Sequence, residues 1–411
     1  MKILMVHKFY YIEGGAERYY FNLSGLLEQR GHEVIPFAMH HPRNLATPYS
    51  SHFVDYFEPD KELARLGLVN GFKSAARVVY NRQARSRIEA LIDEVKPEIA
   101  HVHGVYHHLS PSVLFSLKKK RLPVIFTLHE YKILCPDYLF LDRAGRVCER
   151  CAGRHFWHAT AGRCFRNSLP ASGLVTVESY LHRLLGTYRR QVDLYLSPSR
   201  FLQGKMIQYG YPEGMVEWLP YTIPMEEYEP CYESDGYFVY VGRLSHEKGV
   251  AELVHAMKRV PGAHLKVIGT GRLGEPLQEF VREQGMTNVE FLGYKSGGEL
   301  REIVRRAMFV AVPSVVYDNS PLAIYEALAL GKPVVGAAIG GIPELINEGR
   351  DGFLFTAGDE KSLVQALKRM LECAPQWPEM GRAGRAKAER LFAPAAHLQR
   401  MEEIYSRFLA R

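Results

Sequence analysis

The sequence predicts an α/β fold, with two doubly wound parallel-sheet domains in tandem. Two observations predict it. Short apolar runs alternate with helix-length segments through residues 1–199, and the same alternation starts again near residue 237. The runs are apolar almost throughout rather than at every second position, which marks strands covered on both faces of a parallel sheet. A chain of 411 residues has room for two domains of ordinary size. Ligands of such sheets bind outside the C-terminal ends of the strands. Two domains therefore imply a cleft between facing strand ends, and the chemistry is expected there.

In the first half the strand candidates are "KILMVH" (2–7), "HEVIPFAM" (32–39), "EIAHVHG" (98–104), "PVIFTLHE" (123–130) and "LYLSPS" (194–199), with helices between them such as 16–30 and 77–95. In the second half they are "YFVYVGRL" (237–244), "LKVIGTG" (265–271), "VEFLG" (289–293), "MFVAVPS" (308–314) and "PVVGAAI" (333–339). Residues 200–235, rich in Tyr, Pro and Glu, read as a short helix followed by a linker, and 383–411 read as helices with an amphipathic end. The expected domains are 1–199 and 200–393.

Composition is that of a soluble globular protein, at 47% hydrophobic and 24% charged residues. No apolar run is long enough to span a membrane. The start "MKILMVHKFYYIEGG" turns polar too early for a secretory signal, so a cytoplasmic location is expected. Charge is uneven. Residues 1–200 hold 28 basic and 18 acidic residues, and the remainder 24 and 27. A basic first half suits an anionic partner, such as a lipid phosphate at a membrane surface, although a merely well-solvated face explains it equally well. The basic residues are scattered and match no nucleic-acid-binding motif, so no nucleic-acid partner is expected.

The most informative stretch is "PSVVYDNSPLAIYEALALGKP", which runs from a strand through a loop into a helix. Ser320 is a natural N-cap and Pro321 a natural first helical residue, because proline lacks an amide hydrogen that would be unpaired there. The amides behind Pro321, with the helix dipole, form an anion site. Glu326 stands in a helix that is apolar on nearly every side, with Leu322 and Leu330 at i±4. A buried carboxylate needs hydrogen-bond donors. Ligand hydroxyls would serve, and so would backbone amides or a distant arginine. Asp318 is a second carboxylate in the preceding loop.

In "VGRLSHEKGV" a strand ends at Gly242, and Arg243 and Lys248 follow across a turn. Two cations at a strand edge can clamp a diphosphate, arginine as a fork and lysine as a point charge. Solvated surface cations are the plainer reading. Gly14 and Gly15 form a turn after the first strand, where a backbone can approach a ligand closely. His129 stands at a strand end. Gly269, Gly271 and Gly274 spell G-x-G-x-x-G. They follow the second strand of their domain rather than the first, which argues against a dinucleotide fingerprint.

Four of the six cysteines, Cys135, Cys148, Cys151 and Cys164, are spaced C-x12-C-x2-C-x12-C in an insert, 135–164, without a core pattern. Disulfides are not expected in a cytoplasmic protein. Four thiolates can hold a tetrahedral zinc that folds such an insert, and a structural zinc is the expectation, ahead of free thiols or an iron–sulfur cluster. Cys231 and Cys373 are isolated.

Three stretches together, "GGAERYYFNLSGLLEQRGHEV", "VGRLSHEKGV" and "VPSVVYDNSPLAIYEALALGKPVVGAAIGGIPELI", resemble retaining glycosyltransferases of family 4, over nearly the whole chain. The resemblance implies the GT-B fold, two Rossmann-like domains facing an interdomain cleft. It also implies a hexosyltransferase that moves a sugar from a nucleotide diphosphate sugar, uridine being the expected base, to a hydroxyl of a glycan or lipid-linked acceptor. Glu326 would bind the ribose hydroxyls and Asp318 the transferred sugar. Arg243 and Lys248 would hold the diphosphate, with the backbone of Asn319, Ser320, Pro321 and Leu322 and with Gly14 and Gly15. His129 would stand near the reaction centre. Asp318, Arg243, Lys248 and His129 are the catalytic candidates. No metal or other cofactor is implied for the chemistry, and the last helix, about 394–411, would pack back on the first domain. The chain departs from the family pattern twice. Asp318 stands where a glutamate is usual, and "LPYTI" (219–223) stands in place of a Pro-Asn-Gly hinge. The rivals are a sugar-nucleotide epimerase or phosphorylase on the same fold, an oxidoreductase using Gly269–Gly274, and a binding module built on the cysteine insert.

Overall fold

A computed structural model describes residues 1–58 and 75–409. The first expected domain therefore contains sixteen residues, 59–74, outside the described ones, and the last expected helix contains two. The chain divides into two compact units. Unit 1 comprises 1–143, 148–219 and 397–411, and unit 2 comprises 144–147 and 220–396.

Unit 1 is built on six parallel strands: β1 (Lys2–Val6), β2 (Glu33–Phe37), β3 (Ile99–Val102), β4 (Val124–Thr127), β5 (Leu194–Ser197) and β6 (Val216–Trp218). Their order is β2-β1-β3-β4-β5-β6. Leu4 of β1 lies beside Ile35 of β2 on one side and Ala100 of β3 on the other. Every residue of β3, β4 and β5 is buried, as expected for central parallel strands. The order reverses at β1 and β3, and this switch point is where such sheets bind ligands.

The helices of unit 1 start where local chemistry permits. Helix α1 (Gly15–Gln29) opens at Gly14, whose amide donates to the Glu17 carboxylate at 2.9 Å, so the third helical residue reaches back to tie the entry. Helix α2 (Arg82–Val95) is capped by the Asn81 side chain, which accepts from the Ala84 amide at 3.0 Å. It buries Ala84, Ile88, Leu91, Ile92 and Val95, one apolar stripe at helical spacing. Helix α3 (Leu169–Leu184) starts behind Ser168, and α4 is the single turn Thr187–Arg190. Helix α5 (Arg200–Gln208) is capped by Ser199, which accepts from the Leu202 amide at 3.1 Å. Residues 200–219 belong to unit 1 because β6 pairs with β5. The sequence reading of a helix and linker there, with a division at 199/200, missed that edge strand.

Unit 2 also has six parallel strands: β7 (Tyr237–Val241), β8 (His264–Ile268), β9 (Val289–Gly293), β10 (Val310–Val312), β11 (Val334–Ala337) and β12 (Gly352–Phe355). Their order is β12-β11-β10-β7-β8-β9. The chain starts in the middle, winds outward through β8 and β9, then returns to β10 on the other side of β7. The switch point thus lies between β7 and β10, with Val239 beside Val310. Helices α6 (Gly274–Glu283), α7 (Leu322–Ala329), α8 (Ile342–Leu345) and α9 (Trp377–Leu391) belong to this unit. The final helix, α10 (Pro394–Leu409), runs into unit 1. There His397 meets the Tyr19 hydroxyl at 3.0 Å, and Tyr405 meets His101 at 2.6 Å. No helix among the described residues is long and apolar enough to cross a membrane.

Candidate functional site

In unit 2 the switch point brings the loop after β7 against the loop after β10. The Glu247 carbonyl accepts from the Val315 amide at 3.2 Å, stitching the two loops together. Gly249 closes the first loop at φ 67°, with its α-carbon so near the Pro313 carbonyl that a Cβ would lie 1.8 Å from the oxygen. Only glycine fits both conditions. The result is a direct ion pair, in which the Lys248 ammonium donates to Asp318 Oδ2 at 2.6 Å while the Ser314 hydroxyl donates to the same oxygen at 2.8 Å. Asp318 is pinned a third way, since its carbonyl accepts from the Gly341 amide at 2.8 Å. Arg243 reaches outward, 74% exposed, with Glu247 Oε1 3.8 Å away. The Tyr240 hydroxyl donates to the Arg243 carbonyl at 2.7 Å and so fixes the start of this loop.

Helix α7 carries Glu326 in its second turn, buried at 8% exposure. The Tyr228 hydroxyl donates to Glu326 Oε1 at 3.3 Å. Arg385 on α9 holds this arrangement, donating to the Tyr228 carbonyl at 2.5 Å and to the Ala329 carbonyl at 2.6 Å. The second contact also satisfies a carbonyl of the last helical turn with a cation, where the helix dipole favours one. One expectation is corrected. Ser320 is not the N-cap of α7: Pro321 is extended, at φ −70° and ψ 116°, so it takes the capping position, and the Ser320 hydroxyl is hydrogen-bonded with Tyr325 at 2.6 Å. The glycines of the G-x-G-x-x-G run have a packing reason. A Cβ on Gly269 would lie 1.9 Å from the Gly242 carbonyl oxygen, and one on Gly271 2.4 Å from the Leu244 carbonyl oxygen. They let the chain after β8 lie against the Arg243 loop.

In unit 1 the switch point gathers histidines. His129, after β4, shares a hydrogen bond with His103 at 2.9 Å, from its Nε2 to His103 Nδ1. His103 stacks on His101 at 4.4 Å, and both nitrogens of His101 are taken, by the Tyr405 and Thr127 hydroxyls. Burial pushes His7 and His101 down to about 3, and pushes His103 and His129 well below the usual range. All four are therefore neutral near pH 7. His7 lies 3.5 Å from Glu17, yet a neutral imidazole makes this a polar contact and not an ion pair. Gly14 and Gly15 sit at the start of α1 beside this cluster, with Glu17 serving both Gly14 and His7.

The structural zinc expected at Cys135, Cys148, Cys151 and Cys164 is not supported. Among the described residues no three His, Cys, Asp or Glu side chains converge as a metal ligand group, and the cysteines are free thiols. Cys151 packs with Phe156 and Ala159, and Cys164 packs against them, so the insert has a small apolar core that its composition concealed. Burial raises the Cys135 thiol well above its ordinary value and pushes Cys151 up to about 12 and Cys164 to about 11.

Lys248, Asp318, Arg243, Glu326 and residues 319–322 thus lie in unit 2, and His129, Gly14 and Gly15 in unit 1. Sequence reasoning missed Ser314, Tyr228, Arg385 and His103. For His103 a signal existed, since "HVH" places His101 and His103 two apart and so on one face of a strand.

Residues 13–227 match the family described as Glycosyltransferase Family 4, and residues 226–387 match Glycosyl transferases group 1. The chain is 33% identical over 171 residues to a sulfoquinovosyl transferase of Arabidopsis thaliana, covering 41% of this chain and 33% of that protein. It is 34% identical over 179 residues to a D-inositol 3-phosphate glycosyltransferase of Corynebacterium aurimucosum, covering 41% and 42%. The match thus spans well under two thirds of these curated relatives. Among solved structures, a sucrose-phosphate synthase of Thermosynechococcus elongatus superposes with a TM-score of 0.75 at 19% identity, over 100% of this chain and 99% of that one. The Anabaena HepE protein in complex with UDP and glucose gives 0.65 at 19%, over 99% of each. With two doubly wound sheets and both halves matched, the chain has the GT-B fold and belongs to glycosyltransferase family 4.

Proposed function

We propose that the protein is a retaining glycosyltransferase that moves a hexose from a nucleotide diphosphate sugar, UDP-linked, to a hydroxyl of a glycan or lipid-linked acceptor. The observation that carries this is the site at the β7/β10 switch point. There an exposed guanidinium, an ammonium held by a carboxylate, and a helix N-terminus lie within the unit that matches Glycosyl transferases group 1. Arg243 and Lys248 would take the diphosphate. An ammonium has three donors, so Lys248 can keep Asp318 and still hold a phosphate oxygen. Asp318 would contact the hexose hydroxyls and Glu326 the ribose. In the reaction the bond from the anomeric carbon to the phosphate oxygen breaks. The bond to the acceptor oxygen forms on the same face, and the acceptor proton passes to a phosphate oxygen. The two cations and the dipole of α7 stabilise the charge that develops on the leaving diphosphate, so no metal is required. Neutral His129, positioned by His103, would hydrogen-bond the sugar.

Membrane association is part of this proposal. Helix α3 exposes Leu169, Val177, Tyr180 and Leu184 along one stripe, with Leu184 81% exposed, and Trp157 is exposed as well. Together with the basic surplus of residues 1–200, that stripe suits an anionic bilayer surface. Val177→Asp with Leu184→Asp should abolish flotation with phosphatidylglycerol vesicles, and undiminished flotation would remove this part.

The test of the whole is calorimetry with UDP, GDP and ADP, followed by turnover of the matching glucose nucleotide and anomeric analysis of the product. Arg243→Ala should lower kcat/KM at least tenfold with the melting temperature unchanged. An unaltered rate, or a product of inverted anomeric configuration, would refute it. The epimerase or phosphorylase alternative is not favoured, since transferase families match both halves. It would require the free nucleotide sugar to epimerise without acceptor, or phosphate to replace the acceptor.

A further inference from the structure

Unit 1 contains a pocket of about 250 Å³, lined by residues 132–134 after β4, residues around Arg154, the inner face of α3, α4 and residues 208–211 at the end of α5. At roughly 30 Å³ per water this is room for about eight waters, the size of a monosaccharide derivative. Its charge is unbalanced. Lys132 and Glu178 line it but neutralise each other at 2.9 Å, both nearly fully buried. Three further cations line it, Arg154, Arg183 and Arg189, and none has a carboxylate within ion-pair distance among the described residues. Burial lowers the Arg183 guanidinium below its ordinary value, and the charges of Arg154 and Arg189 lower it further. Arg189 is held in place, its guanidinium over the Tyr211 ring at 4.9 Å and donating to the Tyr209 carbonyl at 3.3 Å. Neighbouring guanidiniums kept together without counter-charges are a site for an anion with several oxygens.

Two buried polar atoms extend the argument. His182, 3% exposed, shares a hydrogen bond between Nδ1 and the Thr187 hydroxyl at 3.0 Å, while its Nε2 has no partner of good hydrogen-bond geometry, the Val79 backbone acting on the ring only weakly. Glu178, 1% exposed, uses Oε2 for Lys132 and His107 and leaves Oε1 without a hydrogen bond. Buried polar atoms without partners are few in folded proteins and call for a ligand or water.

We propose that this pocket binds the phosphate ester of a small polyhydroxylated molecule, with Arg154, Arg183 and Arg189 on the phosphate and with Glu178 and His182 on hydroxyls. The site lies within unit 1 and shares no residue with the donor-site candidates, so it stands or falls independently of the transferase reading.

The test is calorimetry on the full chain without nucleotide sugar, at low salt, with glucose 6-phosphate, inorganic phosphate, glucose, and vesicles containing phosphatidic acid. Glucose 6-phosphate should bind at one site, inorganic phosphate should compete, and glucose alone should not bind. Arg154→Gln alone, and combined with Arg189→Gln, both exposed, should weaken binding, the pair at least tenfold, while circular dichroism stays as in the parent and the lost Arg189 contacts to Tyr211 and Tyr209 lower the melting temperature only slightly. His182→Gln should weaken glucose 6-phosphate more than inorganic phosphate. Binding only to the vesicles, lost in the arginine variant, would assign the same phosphate chemistry to a lipid headgroup. No binding of any phosphate up to about 10 mM, a concentration that detects even millimolar affinity, or binding unchanged in the arginine variant, would overturn the proposal.

Discussion

Replacing Gly249 by alanine tests how the β7 and β10 loops are held together. At φ 67° an alanine is strained by about 1 kcal/mol. Its Cβ would also lie 1.8 Å from the Pro313 carbonyl oxygen, whereas such contacts do not fall below 3.0 Å, so the loops must part by at least 1.2 Å. That movement loosens the Val315–Glu247 hydrogen bond, worth about 1 kcal/mol. It would also stretch the Lys248–Asp318 pair from 2.6 Å to nearly 4 Å. The pair is partly exposed, at 27% and 11%, so its loss adds only about 1 kcal/mol. The total is roughly 3 kcal/mol, a fall in melting temperature of about 6–12 °C for a domain of this size. Turnover should fall by roughly a hundredfold, because a displacement near 1 Å at reacting groups has that effect. Gly285 is the control. It has a similar φ of 60° with nothing near its Cβ position, so Gly285→Ala isolates the dihedral strain of about 1 kcal/mol. Thermal melts and nucleotide-sugar turnover of both variants decide the matter. If Gly249→Ala melts with the control and keeps its activity, the close approach does not position the pair.

Lys387 is nearly buried and lies 2.6 Å from Asp351, which is fully buried. Lys387→Met should cost about 3–5 kcal/mol in urea unfolding by stranding that carboxylate, and adding Asp351→Asn should recover part of the loss. Arg385→Met removes the contacts to the Tyr228 and Ala329 carbonyls; donor KM should rise about tenfold with kcat nearly kept, as loss of uniform binding predicts. His7, held near 3 by burial, stays neutral in the folded chain while the unfolded chain protonates it near 6.5. The unfolded state binds the extra proton, so stability falls as pH drops below 6.5, by about 1.4 kcal/mol at pH 5.5 for this group. Burial raises Asp137 to about 7, which acts in the opposite direction over the same range. The comparison is therefore made between parent and His7→Gln, where Asp137 cancels. The variant should lose about 1.4 kcal/mol less between pH 7.5 and 5.5, and parallel pH profiles would show that His7 is not held neutral.

Much of the fold was legible along the chain. Ten strands stand out because parallel strands covered on both faces are apolar along most of their length, and turns and helices separate them. The two that escaped, β6 and β12, are short edge strands. β6 even carries Glu217, which pairs with Arg400 and Arg407 on α10, and an edge needs no continuous apolar run. The zinc expectation is not supported, for a related reason. Cysteine spacing is a local pattern, but whether four thiols converge on a metal or pack as apolar groups depends on what surrounds them in space.

Local chemistry by itself determined the α/β alternation and the oddity of a carboxylate in an apolar helix at Glu326. Only the tertiary structure decided who meets whom. Lys248 and Asp318 are 70 residues apart and become partners because the chain returns to lay β10 beside β7. Glu326 meets Tyr228 across 98 residues, and His103 meets His129 across 26. Hydrogen bonds and ion pairs act over a few ångströms, so their partners are set by strand order and close packing, which no local spacing encodes.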